Sequence, residues 1–327
     1  MNRVKYISSV FLRMLSLLIG VSIISFILVT NSPIDPLTSY IGAESTLSVE
    51  VKEEIADHWG LNDPPLERFA SWGKNVLKGD FGTSITYKQQ VSTVILERFK
   101  YSIVLMLVAW CFSGIVGFLI GVLAGIYKGG LFDKIIKIFC LALQSAPTFW
   151  IGLLILSLFS VYLGWFPIGF AVPMGKLSLE ITIWDRIYHL ILPALTLSIL
   201  GISRVTLFTR QKLIEILNSD FILFAKARGE NTRQLVIRHG LRNIALPAIT
   251  EQFASFSELF GGIALAETVF SYPGLGTATT AAGLNGDVPL LLGIAIFSAI
   301  FVFVGNFIAN ILYGVLDPRL KEGKYND

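Results

Sequence analysis

Six long apolar stretches, separated by segments that carry most of the charge, set the pattern of the chain: Val10–Val29, Ile103–Ile126, Ile135–Leu163, His189–Leu207, Ile244–Val269 and Leu290–Leu316. A bilayer core about 30 Å thick takes roughly 20 apolar residues wound as a helix, so each stretch predicts one crossing, and six crossings return both termini to one side. The first stretch follows Arg3 and Lys5 and includes Arg13, a basic start shared with signal peptides. Its apolar run is long and no small-x-small cleavage site follows, so it reads as a permanent anchor.

Composition agrees with this pattern. Hydrophobic residues make up 54% and charged ones 15%, and the mean hydropathy is +0.68, more apolar than a soluble globule carries. The class is therefore an all-α polytopic membrane protein. Cys111 and Cys140 both fall inside apolar stretches without ligand-like spacing, which indicates neither a disulfide framework nor a metal cluster. The net charge of +3 is small and uneven, a sign of topology and not of nucleic-acid binding.

Lysine and arginine in short loops mark the cytoplasmic side. Arg3 and Lys5, then Lys128, Lys134 and Lys137, and finally Arg319, Lys321 and Lys324 all fall on one face by parity, as does the strongly basic fourth connection. Loop 271–288 holds no lysine or arginine, and loop 164–187 has only Lys176 and Arg186 against Glu180 and Asp185. Residues 31–100 lie on the outer face by the same parity. Their prolines, and Ser48 ahead of Glu50, Glu53 and Glu54, predict a small lobe with one or two short helices. The division expected is an anchor helix at 1–30, this extracytoplasmic lobe at 31–100, a five-helix core at 101–317 and a cytoplasmic tail at 318–327.

The basic connection between the fourth and fifth stretches is the most informative segment. Asn218, Ser219 and Asp220 can cap a helix, Phe221 to Arg228 favours one, and Gly229 is the residue type that ends a helix in the left-handed conformation. The short helix would offer Phe221, Leu223, Phe224 and Ala225 to a groove, with Lys226 and Arg228 at its rim. Asn231 and Thr232 then start a second helix that runs into the fifth stretch, with Pro247 near its beginning. A loop that merely satisfies the positive-inside rule is the plainer alternative.

At these residues the chain resembles the inner-membrane permease subunits of binding-protein-dependent ABC importers, in the peptide and nickel permease family. The family's signature places small residues ahead of a glycine, then nine residues, then a helix start. Ala225, Ala227 and Gly229 match it, Glu230 to Arg238 fill the interval, and His239-Gly-Leu-Arg-Asn243 is similar to the peptide and nickel branch. Leu223 stands where the general motif begins with glutamate, so the glycine and alanines carry the match. Further matches are Pro33-Ile-Asp-Pro36, Gly79-Asp-Phe-Gly-Thr-Ser84, Pro147-Thr-Phe-Trp150, Leu192-Pro-Ala-Leu-Thr196, Tyr272-Pro-Gly-Leu-Gly276 and Asp317-Pro-Arg319.

The resemblance implies a type I permease fold of six transmembrane helices in a prokaryotic inner or plasma membrane. It implies as partners a homologous second permease, two cytosolic ATPases and an extracytoplasmic substrate-binding protein. Residues 220–229 would be the coupling helix, with Asp220, Phe224, Ala225, Ala227, Arg228, Gly229, Glu230, Arg233, His239 and Arg242 as the ATPase-coupling set. Alternating access would be driven by ATP and Mg bound by the partner ATPases, with no cofactor on this chain. The cargo the resemblance implies is a di- or oligopeptide or a related solute, with nickel, a nickel chelate or a metallophore as the alternative.

The residues themselves support a non-enzymatic role. The chain has no Gly-x-x-x-x-Gly-Lys-Ser/Thr loop, no His-Glu-x-x-His and no Gly-x-Ser-x-Gly elbow. Its histidines, His58, His189 and His239, lie far apart in topology, so no metal site is expected. An ATP-independent carrier or channel, and a membrane-anchored scaffold acting through its outer lobe, are the remaining classes.

Carboxylates in an apolar helix flag a pathway or a buried partner. Glu251, Ser255 and Glu258 are predicted on one face of the fifth helix, and Asn306 and Asn310 one turn apart on the sixth. Glu267, Tyr272 and Gly274 are candidates for an outer gate. Gly117, Gly121 and Gly125 form a small-residue ridge, open between packing inside the subunit and a seam with a second permease. Trp110, Trp150, Trp165 and Trp184 are expected in the interfacial belts.

Overall fold

The computed structural model describes residues 3–31, 63–177 and 179–316. Pro33–Pro36, the helix start at Ser48, His58 and the Asp317–Arg319 tail motif lie outside the described residues, as do the side chains beyond residue 308. Helices in chain order are α1 (Arg3–Thr30), α2 (Pro65–Leu77), α3 (Val91–Ile126), α4 (Leu131–Ser145) and α5 (Thr148–Ile155), the last continued by a π-helical stretch, Leu156–Tyr162. Then come α6 (Ile183–Leu217), α7 (Asp220–Ala227) and α8 (Thr232–Gln234), a second π-helical stretch (Leu235–Gly240), α9 (Leu241–Ala254), α10 (Phe256–Val269), α11 (Leu275–Leu284) and α12 (Val288–Leu316). Among the described residues the one β-pairing is an isolated bridge, Thr83–Gln90.

Helices α3, α6 and α12 are each long and apolar enough to cross a membrane. The third apolar stretch is divided: α4 and the α5 segment meet at 110° across Ala146 and Pro147, because proline withholds an amide and pushes the residue before it out of the helical region. Ala146 accordingly has ψ 137°. The fifth stretch is divided as well, between α9 and α10 at Ser255. The described residues thus form a polytopic helical fold with three spanning helices, or four with the bent pair counted as one, a number compatible with the six crossings expected. The third and fifth stretches are interrupted where unbroken helices were expected.

At the interruption the Gln252 carbonyl, the helical acceptor four residues before Phe256, accepts from Trp110 Nε1 at 2.9 Å and from Ser255 Oγ at 2.8 Å. Gln252 Nε2 returns a bond to the Trp110 carbonyl at 2.6 Å. Trp110 is therefore a reciprocal tie between α3 and α9, not the belt residue its position suggests; Trp150, Trp165 and Trp184 are exposed as belt residues would be.

The chain forms two compact units, residues 1–102 with 273–303, and residues 103–272 with 304–327. In the first, Asp287 begins α12: Oδ1 accepts from the Leu290 amide at 3.2 Å as a helix cap, while Oδ2 accepts from the Thr86 amide at 2.9 Å and from the Ser84 hydroxyl. Fully buried Asp287 thus gives the Gly79–Ser84 motif a structural reason to end in serine. The described part of the expected lobe contains α2, whose Phe69 meets Phe26 of α1 edge-on at 5.1 Å, and the first turns of α3, which begins at Val91.

In the second unit α6 is the spine. A Cβ at Gly117 would come within 2.9 Å of the Ile202 carbonyl, and one at Gly121 within 2.7 Å of the Thr206 carbonyl and of Thr209 Cβ. Gly125 faces Leu213 in the same way. The glycine ridge thus packs inside the subunit against α6, on backbone at Gly117 and Gly121 and on the Leu213 side chain at Gly125. On α6, Arg210 pairs with Asp133 at the start of α4 through both guanidinium arms, Nη2 to Oδ2 at 2.8 Å, and Gly129 N also donates to Oδ2 at 2.8 Å. The side chains are 15% and 3% exposed.

Two outcomes follow from this packing. Gly121→Val should destabilise the protein by about 1–3 kcal/mol through overpacking, read as a lowered thermal midpoint in detergent, whereas Gly20→Ala, with open space around it, should change little. Arg210→Gln should lose about 3–5 kcal/mol by stranding a buried carboxylate, and adding Asp133→Asn should restore a large part of that loss in a double-mutant cycle.

Candidate functional site

The segment from Ser219 to Arg242 is organised by two helix ends. Ser219 is the N-cap of α7, but its hydroxyl turns back to the Ile216 carbonyl and leaves the first turn of α7 without a side-chain cap. At the other end Arg228 is the C-cap and Gly229 takes φ +87°. Glu230 N donates to the Ala225 carbonyl at 3.2 Å and Gly229 N to the Lys226 carbonyl at 2.9 Å. This pair of bonds is the Schellman motif, in which a left-handed residue closes the helix. No atom would meet a Cβ at Gly229, so conformation and not crowding requires the glycine.

One face of α7 holds it to its own subunit. Ile222 and Ala225 are buried in a cluster with Leu235, flanked by Ile216 and Leu217. The opposite face is open: Phe221 is 47%, Leu223 55% and Phe224 74% exposed. Ala225 therefore faces inward instead of joining the open face with the aromatics. Asp220, Ala227, Arg228, Arg233 and Arg242 are all exposed. Exposed aromatic and aliphatic side chains rimmed by cations, on a helix anchored from behind, constitute a surface shaped for a protein groove.

The following chain reinforces the end of α7. Asn231 and Gln234 form a reciprocal capping box, both bonds at 2.9 Å. Glu230 then reaches His239 across the π-helical stretch, Oε2 to Nε2 at 3.1 Å. Gly240 lies against Leu213 of α6, where a Cβ would sit 2.9 Å from Leu213 Cδ1. The coupling candidates thus form one contiguous element, with Glu230 and His239 joined and the others around them.

The candidate pathway residues are distributed differently. Ser255, Glu258, Gln144, Thr148 and Arg204 line a cavity of about 200 Å³ whose other walls are apolar, with Leu197, Leu200 and Leu259 among them. Arg204 holds Glu258 by both arms, Nη2 to Oε1 at 2.7 Å. Glu251 is half-buried and does not line this cavity. A one-residue turn at Ser255 separates Glu251 on α9 from Glu258 on α10, with Ser255 N donating to the Glu251 carbonyl at 3.2 Å across it. Asn306 is exposed and accepts from the Ser257 hydroxyl; the Asn310 side chain lies outside the described residues.

Glu267 is fully buried near the end of α10, and its carbonyl accepts from the Tyr272 amide at 2.8 Å in a second Schellman turn, with Ser271 at φ +47°. Tyr272 is buried, and Gly274 is the N-cap of α11. Arg204, Asp133, Arg210 and Gln252 went unread in the sequence. Their partners lie 54, 77 and 142 residues away, and the one available signal was the charge of Arg204 and Arg210 inside or beside an apolar stretch. Among the described residues no His, Cys, Asp and Glu side chains are grouped to hold a metal ion.

Residues 117–322 match the family described as binding-protein-dependent transport system inner membrane component. The chain is similar to the oligopeptide transport system permease protein AppB of Bacillus subtilis, 35% identical over 95% of this chain and 97% of that one. It is likewise similar to the di/tripeptide transport system permease protein DppB of Pseudomonas aeruginosa, 33% identical over 94% and 97%. The dipeptide transport system permease protein DppB of Escherichia coli K12 is 30% identical over 94% of this chain and 95% of its own.

The geometry of Gly229 yields a local test. Gly229→Ala should weaken the end of α7 by about 1–2 kcal/mol, the penalty of a left-handed L-residue, and so speed hydrogen exchange at residues 225–230 by roughly 5- to 30-fold. Gly229→Asn, which tolerates that conformation, should have a smaller effect.

Proposed function

The chain belongs to the family of inner-membrane components of binding-protein-dependent transport systems, and on that premise we propose that it is the permease subunit of an ATP-driven peptide importer. It supplies half of the translocation route, a homologous permease supplies the other half, and an extracytoplasmic binding protein delivers the solute. Two cytosolic ATPases bind and hydrolyse ATP with Mg. This chain carries no catalytic group and moves when they do. Both termini and the α6–α9 connection face the cytoplasm, by the distribution of Lys and Arg in the loops.

The observation that carries this reading is the two-sided construction of α7. Ile222 and Ala225 clamp it to the end of α6, so a force on its free face is transmitted into a helix of 35 residues. Phe221, Leu223 and Phe224 provide that free face. When ATP draws the two ATPases together, the docked α7 helices of the paired permeases follow, and the long helices swing the route from outward to inward access. Peptides are favoured over nickel as cargo because the three relatives described above are named for peptides.

Removing the free face tests this directly. Phe221→Ala with Phe224→Ala should reduce co-purification of the ATPase subunits at least tenfold and abolish peptide uptake, with the thermal midpoint of the isolated permease unchanged. Retention of the ATPases and of uptake would overturn the coupling role of α7.

A further inference from the structure

Arg204 and Glu258 form an ion pair within the apolar helices that neither the coupling role nor the family match accounts for. A charge there is costly and marks a pathway or a partner. Pairing alone would be served by burial, yet the side chains remain 39% and 65% exposed, with Glu258 the more accessible. The pair opens onto the cavity that Gln144, Thr148 and Ser255 also line. Each of these three side chains carries an oxygen able to accept a hydrogen bond. Ser255 is committed to that role, since its hydroxyl proton is spent on the Gln252 carbonyl at 2.8 Å.

A fork-to-fork pair uses two of the guanidinium's five donors and leaves lone pairs on both carboxylate oxygens. Arg204 therefore holds Glu258 in one orientation without saturating it. The chemistry that fits an oriented, unsaturated carboxylate in a small cavity shared by hydroxyl and amide side chains and leucine walls is a primary ammonium, a compact cation with three donors. The cavity is about 200 Å³, smaller than the roughly 300–1,000 Å³ that encloses a whole ligand, so it takes the end of a solute and not its full length.

We propose that Glu258, positioned by Arg204, is a binding site for the free α-ammonium group of the transported peptide. The inference rests on the reading of the chain as a peptide importer and names what that importer recognises inside the membrane. Glu258 touches the solute; Arg204 acts through Glu258.

The test uses the complete complex with its binding protein in proteoliposomes. ATP-dependent uptake of trialanine is compared with that of its N-acetylated and C-amidated forms at receptor-saturating concentration. Because the receptor is the same throughout, a change in the ratio of free to acetylated uptake belongs to the permease. Glu258→Gln should lower that ratio at least tenfold and leave the ratio of free to amidated peptide within twofold. Arg204→Gln should lower the first ratio as well, and Arg204→Lys should recover part of it.

If Glu258→Gln fails to assemble, Glu258→Asp, which withdraws the carboxylate by one methylene, should lower the ratio at least threefold. An unchanged ratio, or equal change in both ratios, would reduce the pair to a helix-to-helix tie and overturn the proposal. Absence of any ATP-dependent peptide uptake by the wild-type complex would instead overturn the importer reading, and the proposal with it.

Discussion

The close approach of α3 to α6 is the constraint on which the second unit depends. It exists because Gly117, Gly121 and Gly125 leave room for the Ile202 and Thr206 carbonyls and for Val205, Thr209 and Leu213. In a lipid environment apolar side chains gain little by leaving hydrocarbon for one another, so helices are held by surface fit and by internal polar bonds. The glycines supply the fit. The Arg210–Asp133 pair and the Trp110–Gln252 exchange supply the bonds. Removing either would leave a buried polar group without a partner, which is worth more than the bond itself.

Around that fixed contact α6 serves two further purposes at different heights. Arg204 sits beside the interruption at Ser255 and closes on Glu258. Thirteen residues later the same helix ends at Leu217 and passes through Asn218 and Ser219 into α7. The Arg204–Glu258 pair and the start of the exposed aromatic helix are thus joined through one helix. In the proposed coupling role, a displacement of α7 would reach Arg204 along that helix.

Local features were legible in the sequence. Gly229 could be read as a helix end because a positive φ is a demand on one residue, and the Asn231 start followed from the short-range chemistry of capping. The apolar stretches gave the helical, membrane-spanning class. Their interruptions were harder. Pro147 signals one, but the turn at Ser255 stands beside a bond from the Trp110 indole to the Gln252 carbonyl, 142 residues away. The same distance problem hid Arg210 from Asp133 and Arg204 from Glu258. It also made Trp110 look like an interfacial residue, while Ala225, placed on the docking face by the sequence, packs locally against Ile222 and Leu235. Periodicity specifies which residues share a helix face only while the helix remains whole.

The central claim is that α7 is the handle by which cytosolic ATPases move this subunit, and a photo-crosslinking amino acid at position 224 in intact cells tests it most directly. The account predicts a single major adduct with an ATP-binding subunit, formed in the membrane-embedded complex and sensitive to nucleotide state. An adduct with an extracytoplasmic protein, or no adduct with any ATP-binding subunit in a complex that still imports peptide, would contradict it.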